Sequence, residues 1–307
     1  MNPILKKSWP KDIPKTLKYR FGEKPLHEYL IQNAVDLPDE PGYVFYGNNI
    51  TWRQLSEKTK RFAQFLKSQG EIKGDRIGIY MQNCPQYLIS HYAIQMIGAV
   101  VVPLNPMYKS SELEYFINEA EIKCIISGQE LYNHLKEIKN KTSSLCLIVT
   151  TNYAEFLPND VTLPLPDELK KNKEEIEGIF DFTDVVKVSQ PISATEKIDI
   201  WEDIGLMVFT SGTTGRPKAA MLTYGNALFK TAATVNGYQI RGKDKTLAAA
   251  PLCHIAGMVM GVNIPVYTGS SCVLLTRFDP ETAIEAVESY KVNKLYTVAT
   301  MNAAILN

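Results

Sequence analysis

Between residues 76 and 151 the chain alternates short apolar runs with segments of helical character, and few architectures accept that order. RIGIYM, AVVVPLN, KCIIS and LCLIVT read as strands, apolar almost throughout rather than at every second position. Strands of that kind are covered on both faces. Between them stand PQYLISHYAIQMIG, a segment opened by Ser111 with Glu114 as capping-box partner, and a segment over residues 131–138, all expected as helices. Strands alternating with helices wind into a mostly parallel sheet with helices on both sides, so the spacing predicts an α/β protein.

The flanking sequence extends the pattern. Residues 1–25, rich in lysine and proline, are expected to wrap the surface. Residues 26–35 read as a short helix and YVFYGNNITW as a hairpin. Thr51, with Gln54 three residues on, caps a helix whose inner face is Leu55, Thr59, Phe62, Ala63 and Leu66, and which Gly70 ends. Residues 152–200 are proline-rich and then heavily charged, which reads as a solvated helix face without a binding role. A strand at 204–209, a helix near 226–236, the strands TLAAA, SCVLLT and KLYTVAT, and a helix opened by Asp279 and Pro280 follow. PLCHIAGM reads as a loop and turn, and MNAAILN as the first turns of a further helix.

The 307 residues are 45% hydrophobic and 21% charged, enough for a substantial core and two domain-sized units. Lysine plus arginine equals aspartate plus glutamate, 33 each. That balance gives no bulk field for nucleic acid or an anionic membrane, so no nucleic-acid partner is expected. The five cysteines form no CxxC pair, which fits reduced thiols in a cytoplasmic protein and neither a disulfide frame nor a metal site. MNPILKKSWPKDIPK lacks the apolar core of a secretory signal. The most apolar run, residues 87–104, holds Ser90, His91, Gln95 and Gly98, so a buried helix entering a buried strand is expected rather than a membrane span.

One stretch interrupts this regularity. In LMVFTSGTTGRPKAAML an apolar strand runs into six residues that are all glycine or hydroxyl-bearing, then into Arg216, Pro217 and Lys218. Gly212 and Gly215 permit positive φ, so successive N–H groups can turn toward one anion. Thr210, Ser211, Thr213 and Thr214 add donors without bulk, and Lys218 adds a mobile point charge suited to phosphate. In open α/β sheets ligands bind at the carboxyl ends of strands, where this segment falls. A solvent-exposed linker would need neither the flanking strands nor the Pro-Lys ending. It is not a Walker loop, and the chain has no G-x-G-x-x-G.

TSGTTGRPK followed by MLT closely resembles the phosphate-loop signature of the adenylate-forming (acyl-CoA synthetase, AMP-binding) superfamily. PLCHIAGM resembles its second signature, and NCPQYLISHYAIQMIGAVVVPLNPMYKSSELEY resembles the fatty acyl-CoA ligase branch. The likeness runs from about residue 26 to the last residue. It implies two doubly wound, mostly parallel sheet subdomains of a large N-terminal domain, the second incomplete. On that reading residues 1–60 form the wrap, helix and hairpin, 61–224 a first α/β subdomain ending in the phosphate loop, and 225–307 part of a second. It also implies an ATP-dependent acid–CoA ligase. A carboxylate, here a medium- or long-chain fatty acid, attacks the α-phosphate of Mg-ATP to give acyl-AMP, and the thiol of coenzyme A displaces AMP. ATP, Mg2+ and coenzyme A are thus implied. Thr210, Ser211, Gly212, Thr213, Thr214, Gly215 and Lys218 would hold the β- and γ-phosphates, and His254, the second candidate catalytic residue with Lys218, would lie near the acyl carboxylate. Without the resemblance, His254 reads rather as a hydrogen-bonded core histidine; His27, His91 and His134, which have no comparable context, read as structural or exposed. Cys253 reads as packing.

The sequence departs from the family pattern in three places. Ala219 stands where glycine usually follows the lysine, which would narrow the loop's freedom. Tyr224 stands where many relatives have histidine, which would alter the adenylate side of the pocket. The chain also lacks the downstream Tyr-Gly-x-Thr-Glu signature, the ribose-binding aspartate and the mobile C-terminal domain with its catalytic lysine. A fragment that does not complete adenylation by itself is therefore expected, with self-association through uncovered sheet edges. An aryl-acid or carrier-protein ligase fragment, or a non-catalytic nucleotide- or acyl-binding remnant, are the alternatives.

Overall fold

The computed structural model describes residues 9–10, 13–210 and 216–306. Two sheets carry the fold. The first has seven strands: β3 (Arg76–Tyr80), β4 (Val100–Leu104), β5 (Cys124–Gly128), β6 (Leu147–Thr151), β7 (Phe180–Asp181), β8 (Ile204–Thr210) and β9 (Lys218–Thr223). Their order is β7-β6-β5-β3-β4-β8-β9, parallel throughout except for β9, which returns antiparallel along β8 at the edge. The second sheet has the order β12-β10-β11-β1-β2, from β1 (Pro41–Phe45), β2 (Asn48–Thr51), β10 (Lys245–Ala248), β11 (Ser271–Leu274) and β12 (Lys294–Leu295).

The early hairpin β1–β2 is built into this second sheet, where Tyr43 pairs with Cys272 and Val44 with Val273 in parallel register. Its two-residue turn puts both Tyr46 (φ 48°) and Gly47 (φ 105°) at positive φ, the geometry that matches strand twist in a tight hairpin.

Alternation along the first sheet's strands sorts its two faces. Ile77, Ile79, Val101, Cys124, Ile126 and Val149 face the main core, whereas Tyr80, Val102, Leu104, Ile125 and Ile148 face a second cluster under the helices Ser110–Glu119 and Tyr132–Ile138. The helix Pro85–Met96 is buried along its whole length because it lies between the sheets. It follows β3 of the first sheet, and on its other side the Tyr87 and Tyr92 hydroxyls donate to the Leu252 and Val262 carbonyls at 3.1 and 3.0 Å. Among the described residues no helix is long and apolar enough to cross a membrane.

The caps at Thr51 and Asp279 form as the sequence predicts, Thr51 with Gln54 in a reciprocal capping box. Three expectations are corrected. The helix expected to open at Ser111 begins at Ser110, with Glu112 Oε2 accepting from the Lys109 N–H at 3.0 Å. Glu114 turns to Lys141 instead. The turn at Asn105, whose carbonyl accepts from the Tyr108 N–H, has already bent the chain. The charged run after Leu169 is not a helix, because side-chain amides hold its backbone: Asn152 donates to the Lys171 carbonyl, and Gln129 bonds both Asn172 and Glu174. Finally, the turn of PLCHIAGM passes at Ile255 into a helical stretch that reaches Thr268, with a π-helical section over Met258–Asn263.

Candidate active site

β8 leaves the first sheet at Thr210 and β9 re-enters at Lys218, and these two residues pair across the hairpin. The Thr210 hydroxyl donates to the Lys218 carbonyl at 3.4 Å. Ser211, Gly212, Thr213, Thr214 and Gly215 lie outside the described residues, so the structure fixes the two ends of the segment. Those ends stand beside the carboxyl end of β4, since β8 and β4 run parallel through Val101 and Leu206. Ala219 faces Phe209 within the β-ladder, where a strand accepts its methyl group, so the extra Cβ falls in regular structure.

A cleft of about 290 Å³ opens at this place, lined among others by Asn105, Tyr108, Phe209, Thr210, Pro217 and His254. Thr210 and His254, singled out from separate stretches of sequence, thus share one cavity. Lys218 is exposed and is not among the residues lining it. Asn105 and Tyr108 were not singled out in the sequence. Their signal is their position directly after an apolar strand, the end where an α/β sheet binds its ligands.

The turn that presents His254 is pinned from several sides. Asn83, buried at the end of β3, accepts from the Leu252 N–H at 2.8 Å and donates to the Ala250 and Leu275 carbonyls at 3.0 and 3.1 Å. The Pro251 carbonyl accepts from the His254 N–H at 3.1 Å, and the His254 carbonyl accepts from Met258 at 2.9 Å. Gly257 packs so tightly under the turn that a Cβ there would stand 2.1 Å from the Pro251 carbonyl oxygen. The His254 side chain is left exposed at the rim. Cys253 beside it is buried, and burial pushes its thiol up to about 12, which fits packing rather than nucleophilic chemistry.

Tyr224 is not on the cleft, which corrects the expected change to the adenylate side. It is buried under β8, with its hydroxyl 3.4 Å from the Gln95 carbonyl and 3.3 Å from that of Ala99. His27 and His91 are core residues, both driven down to about 3 by burial. His134 lies 3.4 Å from the Ser110 hydroxyl, between the outer helices. Among the described residues no group of three or more histidine, cysteine or carboxylate side chains is placed to hold a metal ion.

Comparison with known proteins bears on the family and the fold. Residues 30–307 match the AMP-binding enzyme family. The chain is 32% identical over 291 residues to a long-chain-fatty-acid–CoA ligase of Bacillus subtilis, covering 92% of this chain and 51% of that protein. It is 27% identical over 322 residues to one from Salmonella typhimurium, covering 99% of this chain and 56% of that one. The chain therefore spans about half the length of the curated relatives it matches. Among solved structures, a long-chain-fatty-acid-CoA ligase from Archaeoglobus fulgidus superimposes with a TM-score of 0.81 at 23% identity, over 98% of this chain and 56% of that one. An anthranilate CoA ligase in complex with anthranoyl-AMP gives 0.80 at 22% identity, over 92% and 51%. Those two likenesses speak to the fold. By the match across most of its length, the chain belongs to the family of AMP-binding enzymes.

Proposed function

We propose that this chain is the nucleotide- and acid-binding portion of an ATP-dependent acid–CoA ligase whose acid is a medium- or long-chain fatty acid. The observation that carries the reading is the shared cleft: Thr210 and Pro217, flanking the hydroxyl-rich segment, line it together with His254. Thr210, the segment of residues 211–215 and Lys218 would hold the β- and γ-phosphates. Hydroxyl, amide and ammonium donors stabilise phosphoryl charge there without chemistry of their own. His254 would meet the acid's carboxylate, whose oxygen attacks the α-phosphorus as the bond to pyrophosphate breaks. The coenzyme A thiol would then displace AMP from the acyl-adenylate. Mg2+ would arrive with the triphosphate. The choice of a fatty acid is supported by the names of the relatives.

The test is a thermal-shift series on the 307-residue chain with MgATP, a non-hydrolysable acyl-AMP analogue and free fatty acids. The reading expects MgATP to raise Tm by filling the phosphate-binding segment, and the acyl-AMP analogue to raise it from the His254 side of the cleft. It also expects no pyrophosphate release at an enzyme's usual turnover, because the chain spans about half of its relatives. Stabilisation by none of these ligands would contradict it.

A further inference from the structure

Tyr115 stands on the helix Ser110–Glu119 and has no part in the roles above. Its hydroxyl donates to the Pro217 carbonyl at 2.8 Å, and the Arg216 guanidinium lies over its ring, 5.3 Å from the centroid. Pro217 lines the His254 cleft on one side. On the other it lines a wider groove of about 700 Å³ together with Tyr115 and Arg216. The Arg-Pro-Lys sequence therefore divides its two cations: Arg216 turns to the helix, and Lys218 opens β9. The adjacent Phe116 packs on Phe209 of β8 with ring centroids 4.4 Å apart. One helix thus grips both limbs of the hairpin, β8 through Phe116 and the entry to β9 through Tyr115.

Pro217 has no N–H with which to join a ladder, so its carbonyl is the backbone group by which it can be held. Tyr115 takes that carbonyl. We propose that Tyr115 is a positioning residue for the phosphate-binding segment: its hydroxyl fixes the segment's exit and its ring parks Arg216 outside the cleft. Lys218 then enters β9 in register with Thr210. The proposal rests on the reading of that segment as a triphosphate cradle. Fixing the exit before the nucleotide arrives reduces the ordering that binding must supply.

The test compares MgATP and AMP binding by calorimetry in the 307-residue chain and its Tyr115→Phe variant, which keeps the ring under Arg216 and removes only the hydroxyl. Loss of one hydrogen bond predicts about five- to tenfold weaker MgATP binding. AMP, which has no β- or γ-phosphate, should bind both proteins alike. An equal loss for both nucleotides would reduce Tyr115 to general support of the fold and overturn the proposal, as would no change for either. If the unsubstituted chain binds neither nucleotide, the triphosphate reading fails by itself. Tyr115 is then judged without ligand, by hydrogen exchange of the Lys218 and Ala219 amides. Clearly faster exchange in the variant supports the positioning role, and equal exchange overturns it.

Discussion

The side-chain oxygen of Asn83 accepts a 2.8 Å hydrogen bond from the Leu252 N–H, and this contact ties the end of β3 in the first sheet to the turn that carries His254. Through its amide nitrogen the same side chain also holds the Ala250 and Leu275 carbonyls of the second sheet's strand ends. One buried amide thus joins the chain after β3 to the turn that carries His254 and to the strand ends of the second sheet.

Replacing Asn83 should show how much that joint contributes. Asn83→Ala leaves a buried N–H and two carbonyls short of a partner, and each orphaned group costs about 1–3 kcal/mol. A stability loss of about 2–4 kcal/mol in urea unfolding is expected. Asn83→Asp should be at least as damaging, since it points an oxygen at two carbonyls. A loss below about 0.5 kcal/mol for both would show that the turn holds itself.

Acid should unfold this protein through its core histidines. His27 and His91 are buried and kept neutral, and neither ring nitrogen of His27 has a hydrogen-bond partner among the described residues. Tyr224, itself kept neutral by burial, meets the His27 ring edge-on, and the Gln95 amide nitrogen lies 3.1 Å from His91 Nε2. Both imidazoles sit near 3 in the folded state and near 6.5 in the unfolded chain, so below 6.5 the unfolded state binds more protons. Stability is full above about pH 6.5 and falls toward pH 3, by up to about 3 kcal/mol per pH unit for two sites. Unfolding free energies at pH 7 and pH 5 should differ by about 4 kcal/mol. A His27→Asn, His91→Gln double variant should lose most of that dependence. An unchanged slope would place the acid sensitivity elsewhere.

Glu71 works in the opposite direction. It is buried before β3 with Oε2 unpartnered among the described residues. Burial, then the nearby Asp75 charge, raise its carboxyl to about 7, against the pull of Lys123. The folded state therefore holds a proton that the unfolded chain releases near 4.5, and stability from this group falls as pH rises from about 4.5 to 7. Glu71→Gln should stabilise the protein by about 1–3 kcal/mol at pH 8 and much less at pH 4.5. Equal effects at both values would mean the ionised carboxylate is solvated after all.

How much of this could be read in the sequence follows from the range of each interaction. Parallel strands covered on both faces announce themselves as continuous apolar runs, and the caps at Thr51 and Asp279 are local, so the α/β frame and those helix starts were legible. The hydroxyl-rich segment and His254 were legible as types of residue in a pattern, and the structure brings Thr210 and His254 to one cleft. Contacts between distant residues were not legible. Tyr43 pairs with Cys272 across most of the chain, Asn83 looks in NCPQY like an ordinary turn residue, and Tyr115 finds Pro217 only once the sheet is assembled. The errors share that origin. Glu114 and the charged run after Leu169 follow local rules in sequence, but Lys141, Asn152 and Gln129 claim them in space.

The most direct measurement is calorimetric titration of MgATP into the 307-residue chain, beside a variant with Thr213, Thr214 and Lys218 all changed to alanine. Charge-assisted hydrogen bonds to phosphate are worth about 1.5–3 kcal/mol each, so the variant should bind at least about tenfold more weakly. Equal affinity in the two proteins, or no ATP binding by the unsubstituted chain, would contradict the triphosphate cradle.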